Sequence, residues 1–218
     1  MLENLPKTRA DKDQKLRSSK PWNKGKSVGQ KKPFTPEQVK IIRGILREEG
    51  SNRDLALFCV AIDTMLRASD LLKLKVGDVM EKNGDMKTEF EVMQQKTSKG
   101  TSVTLTPICQ DALVKWITQD GKLQWDYLFT GTRKSKHKPI TENGYRRLVK
   151  KWAIMARLDP SDYSSHSLRR TKASLVFQAT NNAEVVRQLL GHSSIASTSA
   201  YLGVDKREAL EIARRIDI

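Results

Sequence analysis

Only one stretch of this chain alternates its apolar residues with a period of two, and apolar residues recur at helical spacing on both sides of it. Between Lys87 and Thr106, the residues Thr88, Phe90 and Val92 alternate, and Thr101, Val103 and Leu105 do so again after the turn-like Thr97-Ser98-Lys99-Gly100. Two short alternating runs joined by such a turn read as one antiparallel hairpin. An isolated hairpin is marginal in water, so helices must supply most of the core. The expected fold is mainly α with a small antiparallel β-sheet, an α+β arrangement.

Ahead of the hairpin, Thr35-Pro36-Glu37-Gln38 joins an N-cap, a proline at the first helical position and a capping-box glutamine. Val39, Ile42, Ile45 and Leu46 then recur at helical spacing up to Gly50, and Ser51-Asn52 caps a second apolar helix over 53–66. A short helix over 70–76 is expected next, with Ser69 as its cap. Behind the hairpin, helices are expected over 107–119 and 141–157 and in three closely spaced segments between Ser167 and Arg215. No run approaches the roughly 18 to 20 apolar residues of a membrane-spanning helix, and the first residues hold no apolar signal segment. A soluble, cytoplasmic and nucleoid-associated protein without a membrane partner is expected. Cys59 and Cys109 lie in helical apolar contexts with no CxxC pair, which fits reduced core thiols and encodes neither a disulfide framework nor a zinc site.

Charge is distributed unevenly. The 218 residues carry 40 Lys and Arg against 25 Asp and Glu, a formal net charge of +15, which favours a polyanionic partner. Residues 1–33 alone hold ten basic and three acidic side chains with few apolar ones. Such a segment cannot bury enough surface to offset its ordering entropy. Two parts are therefore expected: a basic, flexible arm over 1–33 that tracks phosphates, with Trp22 as one docking point, and a folded catalytic domain over 34–218.

Few residues offer chemistry. His166-Ser167-Leu168-Arg169 sets an imidazole and a guanidinium three positions apart, on one helix face. Leu190-Gly191-His192 is followed nine positions later by Tyr201, and Arg67 emerges at a helix junction from an apolar context. Taken singly, each has an ordinary reading: a carbonyl-capping arginine, a satisfied core histidine, a packing tyrosine. Tyr127, Tyr145 and Tyr163 are read as packing residues with hydrogen-bonded hydroxyls. Only the combination is specific.

In order, Thr64-Met65-Leu66-Arg67-Ala68-Ser69-Asp70, a lysine-bearing hairpin, His166-Ser167-Leu168-Arg169-Arg170, Leu190-Gly191-His192 and a following tyrosine resemble the tyrosine recombinase (phage integrase) family, from about Thr35 to the C-terminus. The resemblance implies an active site of Arg67, Lys96, His166, Arg169, His192 and Tyr201, with Asp70 supporting it. Lys99 is the alternative to Lys96, since both lie in one turn. Family members often carry a helical core-binding domain ahead of the catalytic one, where this chain has its basic arm. Arg170 stands where a histidine commonly follows the second arginine. Reliance on accessory DNA-binding proteins is therefore expected.

The residue types also suit the reaction. Cutting a phosphodiester by transesterification develops charge on two non-bridging oxygens, and two guanidiniums can donate paired hydrogen bonds to them while staying charged. Arg67 and Arg169 take that role, and His192 adds one more hydrogen bond. A tyrosine with an ordinary pKa near 10 needs a proton acceptor to become a nucleophile, and His166 is the candidate. The leaving deoxyribose oxygen needs a proton, assigned to Lys96. Arg170, Lys172, Lys99, Arg133 and Lys134 are assigned to phosphates of double-stranded DNA, giving affinity with little sequence choice. Neither a metal nor another cofactor is expected. The implied function is a site-specific DNA recombinase of the integrase or invertase type, working as a homotetramer on DNA, with the segment 205–218 packing on a neighbour. A type IB topoisomerase-like strand transferase and a non-catalytic DNA-binding regulator on the same fold are the alternatives.

Overall fold

The reciprocal cap written at Thr35 forms as its residues dictate. In the computed structural model, which describes residues 30–131, 137–202 and 214–215, the Thr35 hydroxyl accepts from Gln38 N–H at 3.3 Å while Gln38 Oε1 accepts from Thr35 N–H at 3.0 Å. Helix α1 (Pro36–Glu48) follows and buries Val39, Ile42 and Leu46 on one face. Helix α2 (Asn52–Thr64) is buried on every side from Asp54 onward, as a helix apolar all round must be. It packs against α1, α5 (Pro107–Asp120) and α7 (Ser165–Thr180) and forms the axis of the core.

Aromatic rings tie this axis to its surroundings. Phe58 of α2 meets Trp152 of α6 (Glu142–Met155) edge-on at 5.3 Å and Phe34 at 6.2 Å, and Phe34 stacks on Tyr163 at 4.4 Å. Lys31 and Lys32 run along the turn before α7, where Lys32 pairs with Asp162 at 2.6 Å and Lys31 Nζ donates to Ser161 O at 2.7 Å. Asp63, buried at the end of α2, accepts from the backbone and hydroxyl of Thr106 at 2.8 and 2.6 Å, which anchors the exit from the hairpin to the central helix.

The hairpin pairs β1 (Glu89–Met93) with β2 (Gly100–Thr104) in an antiparallel register that sets Phe90 opposite Val103 and Val92 opposite Thr101. Phe90 and Val103 are buried, as the alternation requires. The fold is mainly helical with this two-stranded sheet. One local expectation is corrected: Ser69 does not cap a helix over 70–76. Instead α3 (Ala68–Leu71) has Arg67 at its cap position, and a second short helix, α4 (Val76–Val79), follows. Between them the backbone is taken by tertiary partners, since Leu128 N–H donates to Leu74 O and Val76 N–H to Asp126 O. Those pairings displace the helical ladder.

Helices α8 (Ala183–Leu190) and α9 (Ile195–Leu202) follow α7, within the span between Ser167 and Arg215 where helices were expected; most of that span beyond Leu202 lies outside the described residues. They enclose a second apolar cluster of Met65, Ala173, Val186 and Leu190, against which Tyr201 and Leu202 pack. No helix among the described residues is long and apolar enough to cross a membrane. Cys59 and Cys109 are free and buried. Most of the expected arm, including Trp22, most of the basic loop with Arg133 and Lys134, and most of the segment 205–218 lie outside the described residues.

The Phe58→Ala substitution empties the junction of α1, α2 and α6. It is expected to lower stability by about 3–5 kcal/mol, read as an earlier midpoint in urea at unchanged slope.

Candidate active site

Two left-handed helix ends open the site. Met65 closes α2 at φ 51° and Gly191 closes α8 at φ 61°. Each turn exposes a terminal carbonyl, and helix C-termini carry partial negative charge. The Arg169 guanidinium, only 4% exposed, donates to both: Nη1 to Met65 O and Nη2 to Leu190 O at 2.8 Å. Burial pulls its pKa down to about 10; Tyr201 and Asp70 oppose the fall and Arg67 adds to it. It stays charged at neutral pH.

Arg67 stands two residues beyond Met65, at the cap position of α3, and its Nη1 donates to Gln94 Oε1 at 2.5 Å. Asp70, one turn on, is buried and accepts through Oδ1 from Gln95 N–H at 3.0 Å, so it holds the hairpin's tip against α3. The turn itself closes with Gln94 N–H donating to Lys99 O at 3.0 Å and Ser98 at φ 51°. Lys96 is thereby displayed toward the arginines.

His192 follows Gly191. Its Nδ1 lies 3.1 Å from Thr198 Oγ1 and its Nε2 lies 3.5 Å from Arg169 Nη2. A guanidinium only donates, so the neutral tautomer that serves both neighbours carries its proton on Nδ1. Burial first, then Arg169, Arg67 and Arg187, push the imidazole pKa down to about 4. His166, in the first turn of α7, is also held below its ordinary value, first by desolvation and then by Arg169, Arg146, Arg67 and Arg170. Both rings are neutral at physiological pH.

Tyr201 comes to these groups from α9. Its ring meets His192 edge-on at 5.5 Å, and the guanidiniums of Arg169 and Arg170 lie 5.9 and 5.6 Å from its centroid. Its hydroxyl donates to the backbone carbonyl of His166 at 3.4 Å, not to the imidazole. Burial raises the phenol pKa, and Arg169 and Arg170 only partly offset this. The resting tyrosine is a neutral phenol.

One concavity of about 320 Å³ is lined by Arg67, Lys96, His166, Arg169, His192 and Tyr201, with Thr97, Ser193 and Ser197 between them. A neighbouring hollow shares Arg67, Lys96, His166 and Arg169 and adds Arg146. Lys99 is exposed and does not line either. Arg170 and Lys172, assigned to DNA phosphates in the sequence, each make a hydrogen bond within the protein. Arg170 is 8% exposed and donates to Lys31 O at 2.8 Å, while Lys172 Nζ donates to Asp63 O at 3.1 Å. Lys172 Nζ also lies 3.6 Å from the buried Asp63 carboxylate. Sequence reading missed Gln94, although it continues the inward register of Phe90 and Val92 and a polar residue there is a signal.

Residues 32–208 match the phage integrase family. The chain is 30% identical over 170 residues to the "Probable integrase/recombinase YoeC" of Bacillus subtilis (strain 168), across 78% of this chain and 87% of that protein. It is 30% identical over 166 residues to a "Tyrosine recombinase" of Pseudothermotoga lettingae, across 76% of this chain and 54% of that protein, so it spans about half the length of that relative. The crystal structure of XerH site-specific recombinase bound to difH substrate, a pre-cleavage complex, has a TM-score of 0.65 at 20% identity over 86% of this chain and 55% of that one. That likeness shows a shared fold.

The depressed His192 pKa makes stability depend on pH. An unfolded imidazole titrates near 6.5 and the folded one near 4, so between these values the unfolded chain binds more protons. Stability is expected to fall as pH drops from about 6.5 to about 4. Urea midpoints across that range should decline less steeply in His192→Asn, and least in the His166→Asn/His192→Asn double variant.

Proposed function

The chain belongs to the phage integrase family, and on that footing we propose that it is a site-specific DNA recombinase, cutting and rejoining double-stranded DNA through a 3′-phosphotyrosine on Tyr201. The observation that carries this reading is the single concavity shared by Arg67, Lys96, His166, Arg169, His192 and Tyr201. Its size and cationic lining suit one phosphodiester.

Arg67 and Arg169 donate to the two non-bridging oxygens, and their charge favours the trigonal-bipyramidal transition state over the ground state. A phosphate between the guanidiniums and His192 also raises that imidazole's pKa, since an anion favours the protonated form, and so supplies a third donor. The Tyr201 hydroxyl turns from the His166 carbonyl toward phosphorus and passes its proton to the neutral His166 imidazole. The new bond joins Tyr201 Oη to phosphorus, the bond to the 5′ oxygen breaks, and Lys96 delivers the proton that oxygen needs. A hydroxyl of a partner strand reverses these steps and restores the tyrosine. The phosphotyrosine retains the energy of the broken bond, which suits strand exchange.

The net charge of +15 supports a DNA backbone partner. Strand exchange between two duplexes calls for four protomers, so the working assembly is a homotetramer on DNA, assisted by accessory DNA-binding proteins.

A library of nicked duplexes, randomised around the nick, tests the reading because the short product diffuses away and traps the adduct on a denaturing gel. The expected outcome is an adduct with the wild type, none with Tyr201→Phe, and rates about 10²- to 10³-fold lower with Arg67→Ala or Arg169→Ala. Lys96→Ala should also be slow and should recover when the leaving oxygen is replaced by sulfur, whose thiolate needs no proton. No adduct from any duplex, or one that survives Tyr201→Phe, overturns it.

A further inference from the structure

The lysine-bearing turn and the histidine-bearing helix end meet at one buried carboxamide. Gln94, 1% exposed, follows directly on β1. Its Oε1 accepts from Arg67 Nη1 at 2.5 Å and from Thr97 Oγ1 at 3.1 Å. Its Nε2 donates to Thr101 Oγ1 at 2.7 Å and to Leu190 O at 3.4 Å. Four such bonds exhaust what a carboxamide can make. Chemistry also fixes its orientation: a guanidinium only donates and a carbonyl only accepts, so a flipped amide loses both ends.

We infer that Gln94 is a positioning residue that aims the Arg67 guanidinium and locks the Lys96 turn to the end of α8, an inference that rests on the phosphate-binding role proposed for Arg67. Leu190 O also accepts from Arg169 Nη2 at 2.8 Å. A continuous path therefore runs from Arg67 through Gln94 and Leu190 to Arg169, joining the two guanidiniums that face one anion. The joint is tight. A Cβ on Gly191 would stand 2.5 Å from Gln94 Nε2 and 2.6 Å from Thr101 Oγ1, so residue 191 lacks a side chain for the sake of this contact as well as for its φ of +61°. Neutrality matters too. A carboxylate at position 94 would satisfy Arg67 and compete with the phosphate for it, whereas the amide leaves the full charge available. Gln94 does not line the concavity, so it acts through Arg67.

Gln94→Met keeps length and volume and removes all four bonds. The first readout needs no DNA. In the full chain labelled with ¹⁵N-arginine, the Arg67 Nε–H signal, assigned by its loss in Arg67→Lys, should shift and broaden in Gln94→Met. The second is single-turnover cleavage of the duplex recovered from the nicked library. At saturating duplex the rate should fall about 10- to 100-fold, as for a misaimed catalytic group, with affinity kept within about threefold. The Gln94→Met/Arg67→Lys double variant should lose less than the product of the two single losses. Should Gln94→Met fail to fold, Thr101→Val removes one bond to the same amide and should give a smaller loss of the same kind. An unchanged Arg67 signal, or losses that add independently, overturns the inference. If the wild type yields no adduct, the proposed function fails while the Arg67 signal alone still decides the role of Gln94.

Discussion

A buried guanidinium has to keep its charge, and the fold around Arg169 is arranged to let it. Taking an ion out of water costs several kcal/mol unless hydrogen bonds replace the lost hydration. Here the replacement comes from two helix ends, Met65 O of α2 and Leu190 O of α8. Both carbonyls are turned outward by left-handed caps, so they are free to accept from outside their own helices. Among the described residues no carboxylate is bonded to the cation, and the Arg169 side chain lines the concavity. Helices far apart in sequence are thereby drawn to one point.

The other groups take their positions from that point. Met65 leads within two residues to Arg67, and Gly191 leads directly to His192, so the caps that serve Arg169 also deliver two more site residues. Gln94 spans the gap between them. Tyr201 packs on the cluster of Met65, Val186 and Leu190, which are the same helix ends seen from their apolar side. The electrostatics follow from this crowding. Burial first, then the guanidiniums, holds both imidazoles neutral, while burial keeps the phenol protonated. The resting site is a cage of fixed positive charge around neutral proton carriers.

Much of the fold was legible because its rules are local. The cap at Thr35, the all-apolar face of α2 and the alternation of Phe90 with Val92 each depend on neighbours in sequence. The short helix after Arg67 was misread for the opposite reason. Residues 74–77 give their backbone groups to residues 124–128, and no local pattern reports a partner fifty positions away. The internal partners of Arg170 and Lys172 were beyond local reading for the same reason. A carbonyl of Lys31 and the buried Asp63 carboxylate, their partners, lie more than a hundred positions away in sequence. Gln94 was legible in principle, as a polar residue in an inward register, yet its meaning depends on α8, nearly a hundred residues on.

By itself, then, the sequence determined which residue types were available and in what order: two arginines, two histidines, a turn lysine and a tyrosine, with the helical periods that carry them. Side-chain chemistry and local periodicity are properties of residues and their near neighbours, so they can be read along a line. Tertiary structure alone decided which basic groups line the concavity and which bond within the fold, which imidazole nitrogen meets a guanidinium, and what Arg67 is bonded to. Those outcomes depend on desolvation and on donors and acceptors brought together from distant segments, and both exist only once the chain has closed on itself.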